Sequence, residues 1–247
     1  MNKNVTTITA HSGCEGTPDD SLESIKKAIS LGADIAELDV RFDEQKRLVI
    51  SHNRKEDYSG CFPLQMAMEM VLKSPGFAIN CDIKESETIP AVLALADELG
   101  MGPDKLCFSE SLSPRILREN PKIVKRSRVY FNIEEILLEL YMDKQPPAEQ
   151  EALRKSEPWK VVRERMEDIS VYAGQIASLC GELKVYALNF PIYLSRAPIF
   201  TALRELNTPF AIWTVNEPAE IQRLLGEKVC NITTRKVEMA IALRNKK

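Results

Sequence analysis

The chain of 247 residues contains two histidines, His11 and His52. Each ends a short β-type run and is followed by small or polar residues, in "AHSG" and "SHN". Imidazole is the side chain best suited to exchanging protons near neutral pH, so a pair placed alike along the chain reads as an acid and a base. Between them, "GADIAELDV" (residues 32–40) is an apolar run broken by Glu37 and Asp39. Residues two apart in a strand project to one side, so these carboxylates stand together while Leu38 and Val40 face the other way. Anions held side by side repel unless a cation neutralises them. An all-oxygen donor set suits a hard cation, Mg²⁺ or Ca²⁺. Taken alone, the pair is equally a polar strand end paired with Arg41 or a lysine.

A third acid shifts that balance toward the cation. In "AINCDIKE" (residues 78–85), Asp82 interrupts another apolar strand, and Lys84 follows on the same face. Three carboxylates from two strands suffice to hold one divalent ion, with positions left for water and a substrate oxygen. Lys84 then places a positive charge where a phosphoryl oxygen would bind. Cys14 and Cys81 flank this region without metal-site spacing and read as packing residues.

The elements that must carry these residues alternate. Strand patterns fall at 6–11, 35–41, 47–52, 77–83, 105–109, 122–130, 185–190, 209–214 and 229–233, and helical patterns lie between them. Asp20 or Ser21 starts the helix that follows the first strand, Pro218 opens another, and Gly32 and Gly100 end two. With 47–52 folded back on 35–41, eight β-α units remain. That count predicts a closed TIM (β/α)8 barrel in a single domain over residues 1–247. An open doubly wound sheet is the competing architecture, but no glycine-rich loop follows the first strand. In a barrel the C-terminal strand ends form the functional rim, which is where both histidines fall. Residues 131–184 are too long for a simple crossover and form a helical insertion around "DKQPPAEQ". Its charged helix, at about 148–169, is either a solvated face or a lid.

Composition narrows the partners. Hydrophobic residues make up 44 % and charged residues 28 %, with a formal net charge of −3. That balance argues against nucleic acid as the main partner and for a small molecule. Lys125, Arg126 and Arg128 read as a solvated strand end. No apolar run approaches membrane-spanning length, and the N-terminal stretch lacks a signal-peptide core. Six cysteines without C-x-x-C spacing fit reduced thiols, and the expected location is cytoplasmic.

The stretch "TAHSGCEGTPDDSLESIKKAISLGADIAELDVRFDEQKRLVISHN" resembles the glycerophosphodiester phosphodiesterase signature. That signature has His-Arg-Gly, a Pro-Glu-Asn-Thr helix start, GAD-x-x-E-x-D-V, and a His-Asp further on. "NCDIK" is similar to the family's Glu-x-Lys strand, and "FAIWTVNEPAEIQRLL" with "CNITT" is similar to its Trp-Thr-Val-Asn and closing-strand motifs. The resemblance runs from near residue 8 to near 240 and is weakest between 110 and 184. It implies a barrel phosphodiesterase that uses one divalent cation. Glu37, Asp39 and Asp82 would hold the metal, and His11 and His52 would act as acid and base. Lys84 and Trp213 would contact substrate, as would Ser12 at the position of the family's arginine. For Trp213, a core aromatic is an equal reading.

Departures from the family pattern are Ser12 for Arg, Asp19-Asp20 for Glu-Asn, His52-Asn53 for His-Asp, and Asp82 for Glu. The covering insertion after the second histidine is short, and Met66, Met68 and Met70 in the helix beyond it read as packing. The missing arginine, the short insertion and the Asp-x-Lys strand are shared with the sphingomyelinase D branch, which implies a lipid phosphodiesterase as the alternative. A catalytically degenerate barrel that binds a metal or a phosphorylated metabolite is the third reading.

Overall fold

A computed structural model describes residues 5–246. Among them are nine strands: β1 (Thr7–Ala10), β2 (Ile35–Phe42), β3 (Leu48–Ile50), β4 (Ala78–Ile83), β5 (Leu106–Glu110), β6 (Arg128–Asn132), β7 (Ala187–Pro191), β8 (Phe210–Trp213) and β9 (Asn231–Thr234). Eight of them run parallel in the order β1-β2-β4-β5-β6-β7-β8-β9, and β1 pairs with both β2 and β9 to close the ring. The protein is a (β/α)8 barrel. β3 stands outside the ring, antiparallel to β2 with Val40 opposite Ile50, as the fold-back expected from sequence requires.

Strand alternation builds two cores. Leu38, Val40, Cys81 and Ile83 point outward, and with the inner faces of the helices they form a continuous apolar layer. Inward, Ile35, Ala78, Cys107, Tyr130, Ala187 and Ala211 fill the bottom of the barrel. The next inward positions up the strands are polar and largely hydrogen-bonded to one another, although Asn80 Oδ1 has no partner. The side chains of Thr7 and Thr9 both donate to Asn231 Oδ1, at 2.8 and 2.7 Å, and Asn189 donates to Asn132 at 2.8 Å. The barrel thus changes from apolar to polar toward its C-terminal mouth, where a polar ligand would enter.

The outer layer depends on aromatic packing beneath the C-terminal units. Phe190, Phe200 and Phe210 form a cluster with ring centroids 4.5 to 5.7 Å apart. Phe190→Ala should lower stability by about 3–5 kcal/mol through lost transfer energy and the cavity left behind. Urea denaturation would check this, and a loss below about 1 kcal/mol would show that the cluster collapses around the gap.

Local signals act as the sequence indicates at several ends. Ser21 caps the helix Leu22–Leu31, accepting from the Ser24 amide at 3.1 Å, and Gly32 ends it in the left-handed region. Pro218 opens Pro218–Glu227. The segment expected as a strand over 122–130 divides differently. Lys122–Arg126 is a short helix, and the strand begins only at Arg128. Its β-branched residues suggested extension, but Ile123 is needed on the helical layer, where it is buried. Arg126 pairs with Asp97, and Arg128 lies over the Tyr186 ring at 5.4 Å, so neither is a bare solvated end. Met68 is fully buried as expected, whereas Met66 is exposed, because it falls on the outer face of Leu64–Leu72.

Residues 131–184 finish β6 and then hold helices Ile133–Met142, Pro147–Leu153, Pro158–Arg165 and Ala173–Leu183. The single charged helix expected over 148–169 is therefore two, broken at 154–157 before Pro158. Proline cannot donate the interior helical hydrogen bond but fits a first turn. Leu138, Leu153 and Val161 form a small core that ties both helices to Ile133–Met142.

Candidate active site

A cavity of about 720 Å³ opens at the C-terminal mouth of the barrel. His11, His52, Glu37, Asp39, Asp82, Lys84 and Trp213 all line it, which brings together seven of the eight residues singled out in the sequence. Ser12 is the exception. It is buried, its amide meets Glu37 at 3.4 Å, and its hydroxyl accepts from the Asp20 amide at 2.7 Å. Ser12 therefore holds the first loop and does not face the cavity. Gly13 beside it has φ 74, and a Cβ there would lie 2.1 Å from Asp19 Oδ1, so only glycine lets the chain turn behind His11.

Register explains the carboxylates. Glu37 is opposite Asn80, and Asp39 is opposite Asp82, in the parallel pairing of β2 with β4. One oxygen from each of Glu37, Asp39 and Asp82 lies within 4.8 Å of the others. Of the two partners open to a merely polar strand end, Arg41 turns away and a lysine, Lys84, is present. Arg41 pairs with Glu85 at 3.0 Å and donates twice to the His52 carbonyl. Lys84 Nζ lies 2.8 Å from Asp39, 2.7 Å from Asp82 and 2.5 Å from Glu110. Glu110, at the end of β5, was not anticipated from sequence, nor was Ser109, whose hydroxyl donates to Asp82 at 2.5 Å.

One lysine does not neutralise this group. Burial, then the neighbouring Asp39 and Asp82, pushes the Glu37 carboxyl well above its usual range. Asp39 is pushed up to about 6 by burial and by Asp82. Glu110 is pushed up to about 9 by burial and by the Asp82 charge. Asp82 is the anion the cluster favours. Burial opposes its charge, but hydrogen bonding from Glu110 and Lys84 outweighs that and holds it low. Around the whole cavity, seven carboxylates face three lysine or arginine side chains. A hard divalent cation fits this donor set, since it supplies the missing charge to oxygen ligands already gathered.

The histidines differ in setting. His11 is largely buried, and its Nδ1 donates to the Ser12 carbonyl at 2.9 Å, which leaves the Nε2 lone pair free for a proton. Burial lowers its pKa, so the neutral ring is favoured. His52 is exposed over 63 % of its side chain and meets Asp39 Oδ2 through Nδ1 at 3.2 Å. The Asp20 carboxylate accepts from the His52 amide at 2.7 Å, while the Asp20 amide binds Ser12. Asp20 thus joins the two histidine loops. From the sequence alone, Asp20 reads only as a helix start and a departure from the family motif.

No family model and no curated protein matches the sequence. Solved structures do. A glycerophosphodiester phosphodiesterase from Parabacteroides distasonis superposes with a TM-score of 0.69 at 14 % identity, covering 99 % of both chains. An Oleispira antarctica phosphodiesterase in complex with the product sn-glycerol-3-phosphate gives 0.68 at 15 %, covering 98 % of this chain and 97 % of that one. The Thermotoga maritima glycerophosphodiester phosphodiesterase gives 0.62 at 19 %, covering 96 % and 98 %. The chain has the glycerophosphodiester phosphodiesterase fold. On that fold, residues 154–159 of the insertion form one wall of the cavity, between Pro147–Leu153 and Pro158–Arg165. Trp213 also lines the cavity, and its indole Nε1 is buried without a hydrogen-bond partner. A ligand oxygen at the mouth would satisfy it.

Proposed function

We propose that this chain is a divergent member of the glycerophosphodiester phosphodiesterase family. It cleaves glycerophosphodiesters or related phosphodiesters to a phosphomonoester and an alcohol. The observation that carries this reading is the convergence of three carboxylates, one lysine and two histidines in a single cavity of the matching fold. Glu37, Asp39 and Asp82 would hold one Mg²⁺ or Ca²⁺, which supplies Lewis-acid neutralisation of charge on the phosphoryl oxygens.

The protein's own groups do the rest. Lys84 exchanges its contact with Glu110, the most exposed of its three carboxylate partners, for a non-bridging phosphoryl oxygen and stabilises the charge that grows there. His11 takes the proton of the attacking oxygen at Nε2, whether that oxygen belongs to water or to a substrate hydroxyl. As the bond from phosphorus to the alcohol oxygen breaks, His52 gives its proton to the departing alkoxide. Trp213 closes one side and offers Nε1–H to an oxygen. Ser12 serves this reading by fixing the His11 loop.

The lipid-directed alternative needs an apolar approach surface in 131–184. The two helices flanking the cavity wall turn Leu153 and Val161 inward and present mostly charged residues outward; Trp159 is the one large apolar side chain they expose at the cavity, too little for a lipid-sized face, which favours a small soluble diester. The degenerate-barrel alternative is distinguished by experiment. Calorimetric titration should show one Mg²⁺ or Ca²⁺ bound, lost in Glu37→Ala. Bis(p-nitrophenyl) phosphate should be hydrolysed with that metal and not with a chelator. Metal binding without turnover of any diester would point to the degenerate barrel.

A further inference from the structure

We propose that Glu134, with Asn132, Asn189 and the ring of Tyr193, forms a headgroup subsite for an alcohol bearing an ammonium group. The inference rests on the phosphodiesterase reading above and adds the class of alcohol released. Position comes first. Around the ring the strands run β2-β4-β5-β6-β7, so β7 lies opposite β2 and β6 is its neighbour. Asn132 and Asn189 are paired across β6 and β7, and Glu134 follows in the first turn of Ile133–Met142. An eight-stranded barrel mouth is wide enough for only one small ligand. A diester whose phosphoryl group sits over β2 and β4 therefore presents its alcohol to this far wall.

Glu134 is 6 % exposed and lines the cavity. Its Oε1 accepts a hydrogen bond from the Tyr193 hydroxyl at 3.4 Å, and its Oε2 is buried with no partner. A buried acceptor without a donor costs about 1–3 kcal/mol, more when charged, so an acceptor that borders a cavity calls for a donor from a ligand or water there. Among the described residues no lysine or arginine forms an ion pair with Glu134 or the adjacent Glu135. The cavity's cations on the insertion, Arg154 and Lys155, are turned to Glu151 at 3.9 and 3.1 Å. Burial pushes both Glu134 and Glu135 up to about 7, the mark of carboxyls that lack a cation.

An ammonium group satisfies this wall in three ways. It donates to Glu134 Oε2, it neutralises the carboxylate, and it packs against the face of Tyr193. The side-chain carbonyl of Asn189, whose amide is committed to Asn132, is a further acceptor. A neutral hydroxyl would supply one hydrogen bond and leave the charge uncompensated.

The test compares glycerol 3-phosphate esterified with 2-aminoethanol against the same phosphate esterified with ethane-1,2-diol, in wild type and Glu134→Gln. The variant keeps the shape and removes a buried charge, so folding is not threatened. Wild type should prefer the aminoethyl ester about tenfold or more in kcat/KM, and the ratio should fall to near one in the variant. A second readout needs no turnover. In NMR titration of the metal-loaded protein, ethanolamine should broaden Tyr193 and Asn189 signals in wild type and not in Glu134→Gln, while ethylene glycol broadens neither. A wild-type ratio near one, preference for the diol ester, or equal ethanolamine binding by both proteins would overturn the subsite. If neither ester is cleaved, the phosphodiesterase reading fails, and the ethanolamine titration decides the subsite separately.

Discussion

Replacing His11 or His52 with alanine is expected to lower phosphodiester turnover by roughly 10²–10⁴-fold while leaving metal binding intact. The two losses should differ in their dependence on the leaving group. His52 protonates the departing alkoxide, so His52→Ala should keep most activity on an activated p-nitrophenyl ester, whose phenolate leaves without help. His11 acts on the attacking oxygen, so His11→Ala should be impaired on activated and natural esters alike. The acidic limb of the wild-type rate profile should belong to His11. Burial lowers its pKa from the ordinary 6.5, so the limb should lie below that value and vanish in His11→Ala. Stopped or steady-state assays with the two ester types check all three statements. If both alanine variants stay near wild-type rates, the acid–base assignment is wrong.

The second large effect is on stability. The Lys84 side chain is 7 % exposed and contacts Asp39, Asp82 and Glu110. Lys84→Met should lower stability in chelator by roughly 3–5 kcal/mol, because it leaves buried carboxylates without their cation. The pH dependence has a definite sign. Asp39 and Glu110 have folded-state pKa values raised to about 6 and about 9, so what each contributes to stability is complete below its unfolded value and is lost as pH rises through the folded one. The deficit of the variant should therefore be smallest near pH 4 and grow toward pH 9. Mg²⁺ or Ca²⁺ should recover part of it, since a cation bound only by the folded triad stabilises by mass action. Equal melting of variant and wild type in chelator across that range would show that the lysine is not what holds the cluster.

Much of this arrangement was legible in the sequence because its physics is local. Alternation in "GADIAELDV" and "NCDIK" fixes which side chains face inward, and the parallel register then sets Asp39 beside Asp82. What escaped depended on longer-range placement. Glu110 occupies the left-handed region with φ 66 at the end of β5, a conformation that nothing in "FSES" announces. Asn132 and Glu134 were missed because the strand was expected to end at residue 130, two short of its true end. That assigned them to an insertion when they belong to the rim. The helix Lys122–Arg126 shows the same limit, since β-branched residues favour extension locally and tertiary packing decides otherwise. Ser12 was singled out because of the arginine it replaces, and its burial is a property of the Asp20 loop, visible only in three dimensions.

The seam of the barrel has a consequence for how this protein is made. His11, Glu37, Asp39, His52, Asp82 and Lys84 all lie between residues 11 and 84. Yet β1, which carries His11 at its end, is held on one side by β9, and the His11 amide itself donates to the Thr234 carbonyl at 2.9 Å. A ribosome would finish every proposed catalytic residue early and then wait through most of translation before the wall that fixes His11 emerges. Until then the nascent chain displays an open edge strand and a half-built cluster of acids, which is a call for chaperone cover. A proteolytic fragment ending before Thr234 would retain all six residues and still lack the closed wall on which His11 depends.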